Sequence, residues 1–355
     1  MKKSLIALAA VAASGAAFAQ SSVTIFGVVD AAVTYVDGQD SVSGLTNSGN
    51  ASSRLGFRGV EDLGNGLKAQ FWLEGAISND DGSGAGGGAT GPGFEFKRRS
   101  TISLLSNVGE LRLGRSTTAA YDAVSRYDNF GTVGVGGTRV WSTGSYDVRR
   151  SNMVGYYSPD FSGFKFAANY AFGEQDDKTW KRGSYFGLSA TYDNGPLSIG
   201  FGAERQNDPT IGTPASTTTT VANRLTAYGI GGSYNFGVVK LAAAYLNQEN
   251  VTFAGVKTDR DNFLLAVSAP VGAAGEVKAS YNRYDADTGA TSAKADHFSL
   301  GYVHNLSKRT AVYGTYSYLK NKDGVVVGSL AGVPGGAGLD NGKQQAIQVG
   351  VRHNF

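Results

Sequence analysis

The sequence predicts an all-β chain, a transmembrane antiparallel β-barrel of about sixteen strands. Three observations carry that prediction. Short runs with two-residue alternation fill the chain after residue 20, and in a strand successive side chains point to opposite faces. The connections between runs alternate strictly between tight and long. The last run, Ala346 to Phe355, sets Ile347, Val349, Val351, His353 and Phe355 on one face and Gln348, Gly350, Arg352 and Asn354 on the other. No later residue covers that apolar face. In water it would invite edge-to-edge association; against lipid, paired on both sides, it is stable.

The first nineteen residues read as a leader. Lys2 and Lys3 precede the short apolar run 5–13, and Ala17-Phe18-Ala19 forms a small-x-small cleavage site before Gln20. That is the pattern of a secretory signal peptide, so residues 1–19 are expected to be removed and 20–355 to form one domain. The apolar run is too short to cross a bilayer as a helix, which takes about 20 residues. Mean hydropathy is −0.18. A membrane barrel shares that value with soluble chains, because half of each strand faces a wet interior. Cysteine is absent, so an exported chain must gain its stability without disulfides. Formal net charge is +3, and two of those charges, Lys2 and Lys3, belong to the leader. Nothing there marks a nucleic-acid binder, and any electrostatic role depends on where charges sit.

The predicted strands are 22–36, 53–61, 67–77, 96–105, 110–115, 150–157, 164–172, 185–192, 197–204, 225–235, 238–247, 262–269, 276–284, 297–304, 311–319 and 344–355. Tight turns fall at 63–66, 107–109, 160–163, 193–196, 236–237, 271–275 and 305–309. Long loops fall at 37–51, 78–95, 116–149, 173–183, 205–223, 248–261, 285–296 and 320–343. Short periplasmic turns at one rim and long external loops at the other describe an outer-membrane barrel. Closure pairs every backbone amide away from water, and about sixteen strands enclose an aqueous channel. A soluble sandwich or propeller has no reason for the alternation. Tyr156, Tyr157, Tyr192, Tyr234 and Tyr302 lie near strand ends and suit an interfacial aromatic girdle.

Face parity places charges. Leu55 and Phe57 face lipid, so Arg54 and Arg58 face the lumen. Lys68 and Glu74 point inward on the next strand. Ile102 and Leu104 point out, putting Arg99 inward with Lys97. Leu111 and Leu113 point out, putting Arg112 inward beside Glu110. Arg352 faces inward on the last strand, which adjoins the first. These groups form a basic arc. Asp30 and Glu74 are expected to act as wall partners.

Several motifs are set aside. Gly82-x-Gly84-x-x-Gly87 spells a dinucleotide fingerprint without the strand–turn–helix context that fingerprint needs. His297 and His304 are an odd number of residues apart on one strand and cannot share a metal. With no Cys for a thiolate site and no Gly-x-Ser-x-Gly elbow, neither a cofactor, a metal nor an enzymatic activity is expected.

The start SVTIFGVVDAAVTY, the hairpin RLGFRGVEDLGNGLKAQFWLE, the segment GELRLGR and the terminal Phe355 resemble the general diffusion porins of Gram-negative β-proteobacteria. The likeness covers essentially the whole chain after the leader. It implies a homotrimer in the outer membrane, with outer-membrane lipid and lipopolysaccharide around it. It implies a third long loop, 116–149, folded into the lumen. It also implies that Phe355 is the signal read by the barrel-assembly machinery. In that family the loop sets acids opposite the basic wall; here Asp122 and Asp128 are the candidates. The family's loop commonly carries Pro before its Phe-Gly step, where this chain has Asn129. The function so implied is passive diffusion of small hydrophilic solutes and ions through a water-filled constriction, with weak to moderate anion preference. The alternative is a substrate-specific outer-membrane channel or a loop-mediated adhesin; a membrane-embedded hydrolase is a third reading.

Overall fold

The structure is a computed structural model that describes residues 22–84, 93–138, 148–174, 183–207, 210–211, 220–252, 255–287, 292–322, 328–335 and 338–355. The leader lies outside them, as do Gly87 of the fingerprint and much of the third loop's return. Eighteen strand segments form one antiparallel sheet. Two of them continue others. β1 (Ser22–Asp37) pairs through Ala31–Asp37 with β2 (Ser41–Asn47) and through Ser22–Val28 with β3 (Arg54–Gly64). β2 and β3 are thus halves of one stave, interrupted at 48–53. Likewise β11 (Thr210–Ile211) extends β10 (Leu197–Asn207) along β12 (Thr220–Asn235). The wall therefore has sixteen staves, as the alternation predicts.

The remaining staves are β4 (Leu67–Ala76), β5 (Arg99–Ser106), β6 (Gly109–Thr117), β7 (Arg149–Tyr157), β8 (Phe164–Ala171), β9 (Tyr185–Asn194), β13 (Lys240–Thr252), β14 (Lys257–Val271), β15 (Gly275–Asp287), β16 (Ser292–Asn305), β17 (Thr310–Lys322) and β18 (Lys343–Asn354). β18 pairs with β1 from Asp37↔Gln345 to Val28↔Asn354 and closes the ring. No stave then presents a free edge to lipid. The β3–β4 turn shows how the tight connections work. Gly64, Asn65 and Gly66 all have positive φ (85°, 53° and 79°), a region open to Gly and tolerated by Asn. The Asp62 carboxylate accepts from the Gly64 amide at 2.9 Å.

Parity holds along the wall. On β18, Ile347 and Val349 are 52% and 59% exposed while Gln348 between them is fully buried. In a membrane that exposed face meets hydrocarbon. Aromatic contacts mark both ends of it. Toward the loops Tyr228, Tyr245 and Phe263 follow one another at 6.2 and 4.9 Å. Toward the turns Tyr234 meets Phe236 at 4.6 Å and Tyr156 meets Phe166 at 5.8 Å. Tyr157 departs from the girdle expectation. It is the neighbour of Tyr156 on one strand, so it must face inward.

The buried cluster lies inside the barrel. The third long loop opens with α1 (Ala119–Val124) and a 3-10 turn, Ser125–Tyr127. Ala123, Val124 and Tyr127 pack on inward Leu225, Ala227, Leu246 and Leu264. Leu225, Ala227, Leu246 and Leu264 can be apolar at inward positions because this loop, not water, covers them. The loop needs glycine beneath it. A Cβ on Gly202 would come within 2.7 Å of Ala120, and one on Gly231 would strike the Tyr127 ring. Farther round, Val135 joins Val36, Leu319, Leu330 and Ala346, so the last long loop also folds inward.

Candidate pore constriction

The wall left bare by the loop is basic, and two carboxylates organise it. Register brings Glu74 beside Arg99, and Trp72 beside Arg58 and Thr101. The Glu74 carboxylate accepts from Arg98 Nε at 2.6 Å and from Trp72 Nε1 at 3.2 Å, with Arg54 Nε 3.9 Å away. The Glu110 carboxylate takes both Arg112 Nε (2.8 Å) and Nη2 (3.0 Å), a bidentate pair. It also accepts from Ser103 Oγ at 2.7 Å and lies 3.9 Å from Arg99 Nη2. Four arginines thus share two acids.

Aromatic faces hold the guanidinium groups in place. Arg99 lies 4.3 Å from the Trp72 ring centre and Arg112 lies 3.9 Å from that of Tyr157. Arg58 sits 5.3 Å from Trp72 and 5.4 Å from Phe26, two rings that meet edge to face at 5.2 Å. Arg58 is exposed, and among the described residues no carboxylate pairs with it. Such contacts contribute roughly 0.5–2 kcal/mol each and leave the charge intact.

The expected basic residues do not all gather at one level. Arg54, Arg58, Arg99 and Arg112 share this wall. Lys68 faces inward but lies opposite Asp62, four inward positions below Arg54 and beside the tight turn. Lys97 is exposed and forms an ion pair with Glu95; β5 begins at Arg99, so strand parity does not reach Lys97. Its neighbour Arg98 takes the place on Glu74 instead. Arg352 points inward opposite Asp30, where its Nη1 donates to Asn50 Oδ1 at 2.8 Å. It braces the interruption at 48–53. Asp30 is committed to the same segment, accepting from the amides of Gly49 (3.1 Å), Asn50 (2.9 Å) and Ala51 (2.7 Å) and from the Tyr313 hydroxyl (2.5 Å).

Sequence reasoning missed Arg98, Arg149 and the aromatic shelves. Arg149 Nε donates to the Arg98 carbonyl at 3.0 Å. Trp72 had a readable signal, since it shares the inward parity of Lys68 and Glu74. Arg98 had none, because it lies before the first regular residue of its strand.

The loop acids separate. Asp122, in the first turn of α1, accepts from Thr117 Oγ1 at 2.9 Å. Asp122 is exposed to the lumen, yet the wall and loop around it limit its solvation and push its carboxyl above the ordinary aspartate value, while the Thr117 hydrogen bond and nearby Arg112, Arg99 and Arg149 pull it back down. Asp128 is buried and accepts from the amides of Phe130 (2.9 Å), Thr132 (3.0 Å) and Thr138 (2.8 Å). It shapes the loop and does not line the open lumen. Asn129 replaces a turn proline with an anchor: its Nδ2 donates to the carbonyls of Val267 (2.9 Å) and Ala279 (3.0 Å) on the far wall. Lys278 Nζ donates to the Asn129 carbonyl at 3.1 Å and lies 4.9 Å from the Phe130 ring centre. Val135 then reaches Gln348 Oε1 (3.3 Å) and His297 Nε2 (3.2 Å). The loop runs round the inner wall from β6 to β18 and leaves the arginines of β3–β7 facing open space.

Phe355 lies outside the lumen. Its amide and carbonyl pair with Gly27 at 3.1 and 3.2 Å, and its ring packs over that glycine. Among the described residues no cluster of His, Asp or Glu has metal-binding geometry.

Comparison with known proteins places this architecture. The model of the Gram-negative porin family matches residues 5–324. The chain is 45% identical over 368 residues to outer membrane porin protein 32 of Delftia acidovorans, covering all of both chains. It is 32% identical over 409 residues to an outer membrane porin protein of Bordetella pertussis, again over the full length of both. The solved anion-selective porin from Comamonas acidovorans superposes with a TM-score of 0.82 at 42% identity, covering 95% of this chain and 100% of that one. A closed sixteen-stave wall, a loop folded into its lumen and these full-length relatives lead to one conclusion: the chain belongs to the Gram-negative porin family.

Proposed function

We propose that this outer-membrane channel passes small hydrophilic solutes by diffusion and favours anions. One observation carries the reading: among the described residues Arg54, Arg98, Arg99 and Arg112 have their ion pairs with two acids, Glu74 and Glu110, while Arg58 has none. Fixed positive charge at a narrow, wet site raises the local concentration of anions. The Comamonas relative is an anion-selective porin, and its likeness to this chain supports the same sign. Asp122 is the acid opposing that wall, with Asp128 turned into its own loop. Lys68 and Lys97 add charge at the approaches, and Arg352 keeps the interruption at 48–53 in shape. Reversal potentials across a KCl gradient test the proposal: a chloride-favouring sign is expected, and a potassium-favouring sign would reject it.

The family resemblance supports a homotrimer surrounded by outer-membrane lipid and lipopolysaccharide, assembled by machinery that reads Phe355. Three equal closing steps in planar-bilayer recordings are expected of that assembly. Cleavage between Ala19 and Gln20 is the expected maturation, checked by N-terminal sequencing. Size-limited, non-saturating permeation of sugars into liposomes separates free diffusion from substrate-specific uptake; saturation by one solute would favour the latter.

A further inference from the structure

Gln348 stands where four segments of the chain meet. It lies on the inward face of β18 and is fully buried. Its Oε1 accepts from the Val135 amide of the third long loop at 3.3 Å. Its Nε2 donates to Thr34 Oγ1 on β1 at 2.9 Å, to Thr46 Oγ1 on β2 at 3.1 Å and to the Gly332 carbonyl of the last long loop at 3.2 Å. A backbone amide can only donate and a carbonyl can only accept, so the carboxamide has one orientation here. Two N–H groups serve three acceptors, so the loop contact and the wall contacts share one pair of donors. Glycine lets the segments come this close. A Cβ on Gly49, in the interruption at 48–53, would stand 2.8 Å from Gln348 Oε1, and one on Gly134 of the third loop would stand 2.7 Å from it. A Cβ on Gly332 would stand 3.0 Å from the Gly134 Cα. Toward the external rim Leu330 and Val333 of the last loop pack with Val135, Val36, Leu319 and Ala346. That apolar layer keeps water from the carboxamide on the external side, where a dry network of hydrogen bonds is stronger than a wet one.

We infer that Gln348 is a positioning residue of the constriction: its carboxamide joins the last long loop to the third, so that a displacement of the last loop at the external mouth is passed to the loop that narrows the lumen. Asn129 ties the third loop to the wall and Asp128 ties it to itself; Gln348 bonds to both loops. The inference rests on this chain being a channel and not on the sign of its selectivity.

Single-channel recording of the whole barrel in a planar bilayer tests the coupling. The chain has no cysteine. Gly335 on the last loop is exposed, and a Cβ there meets open space, so Gly335→Cys gives one addressable thiol. Biotin maleimide at that thiol followed by streptavidin, which is too large to enter the pore, loads the loop from outside. Loading should raise the frequency of current interruptions roughly fivefold, the equivalent of one net hydrogen bond. With Gln348→Leu added, interruptions should be frequent before loading and loading should raise them no further. No response to loading in Gly335→Cys, or an equal response with Gln348→Leu added, would overturn the inference. Gln348→Glu gives a readout that packing alone would not move. Its ionised carboxylate still accepts from Val135 but sets an oxygen against the Gly332 carbonyl; once protonated, it donates there again. The titratable groups nearby, Asp30, His297, Tyr313 and Arg352, are the same in every variant, so each rate is compared with the unaltered protein at the same pH. Interruptions in Gln348→Glu should be frequent at alkaline pH and fall on acidification, while those of Gln348→Leu should not follow pH. A Gln348→Glu rate indifferent to pH would also reject the coupling. Loading of Gly335→Cys decides the matter even where a Gln348 variant does not fold. The reversal potential of Gly335→Cys before loading should match that of the unaltered protein, so the sign of selectivity is tested separately.

Discussion

Under the proposed function, Arg58 is the residue expected to weigh most on the sign of selectivity. Phe26 and Trp72 fix its guanidinium without neutralising it, whereas Arg112 commits its charge to a bidentate bond with Glu110. Two unit charges 4 Å apart interact by about 1 kcal/mol even in bulk water. Removing one wall charge, as in Arg58→Gln, should weaken chloride's interaction there by about 1 kcal/mol, roughly fivefold, and lower the chloride-to-potassium permeability ratio by at least that factor, read as a shift of reversal potential toward potassium. An unchanged ratio would remove Arg58 from the filter. Asp122 gives a pH dependence of definite sign. Its carboxyl sits above the ordinary aspartate value, chiefly through the limited solvation inside the barrel, so on acidification it loses its charge before ordinary carboxylates do. The arginines stay charged. Anion preference should therefore rise as pH falls, at a higher pH than an ordinary aspartate would give, and Asp122→Asn should show the higher preference already at neutral pH.

At the scale of elements, the third loop is held by contacts spread over half the circumference. α1 lies where Gly200, Gly202, Gly229 and Gly231 leave the wall bare, and Asn129 ties the loop to Val267 and Ala279 across the lumen. Each such hydrogen bond contributes about 1 kcal/mol. Asn129→Ala removes two of them and should loosen the loop at a cost of about 1–2 kcal/mol, seen as larger fluctuations of single-channel current with the barrel's far-ultraviolet spectrum unchanged. The same two bonds show what a sequence cannot display. Asn129 and Val267 are 138 residues apart in the chain, and nothing in the run of letters between them says that one will reach the other.

The whole molecule is stable only with lipid outside and water or loop inside. Leu300 lies on the outward face of β16, within the apolar band, and is 47% exposed. Leu300→Arg should cost about 2–4 kcal/mol of folding stability near the bilayer midplane, measured by guanidinium unfolding in vesicles. The neighbouring inward Ser299 is buried against His297 and Ser317, and a change there would act through those hydrogen bonds instead.

Strand number, rim polarity and the inward aim of Arg54, Arg58, Arg99, Arg112 and Arg352 were all legible from alternation alone. A period of two is a local property of extended backbone, and the lipid face makes every deviation costly. Depth in the channel was not legible: parity says which side Lys68 occupies but not that it sits beside the turn. Nor was commitment, since a carboxylate such as Asp128 looks identical in sequence whether it faces water or gathers three amides. The local period settled which way each side chain of the wall points. Where the loops dock, and hence which charges stay open to the lumen, only the closed barrel decided, because those contacts join residues that no periodicity relates.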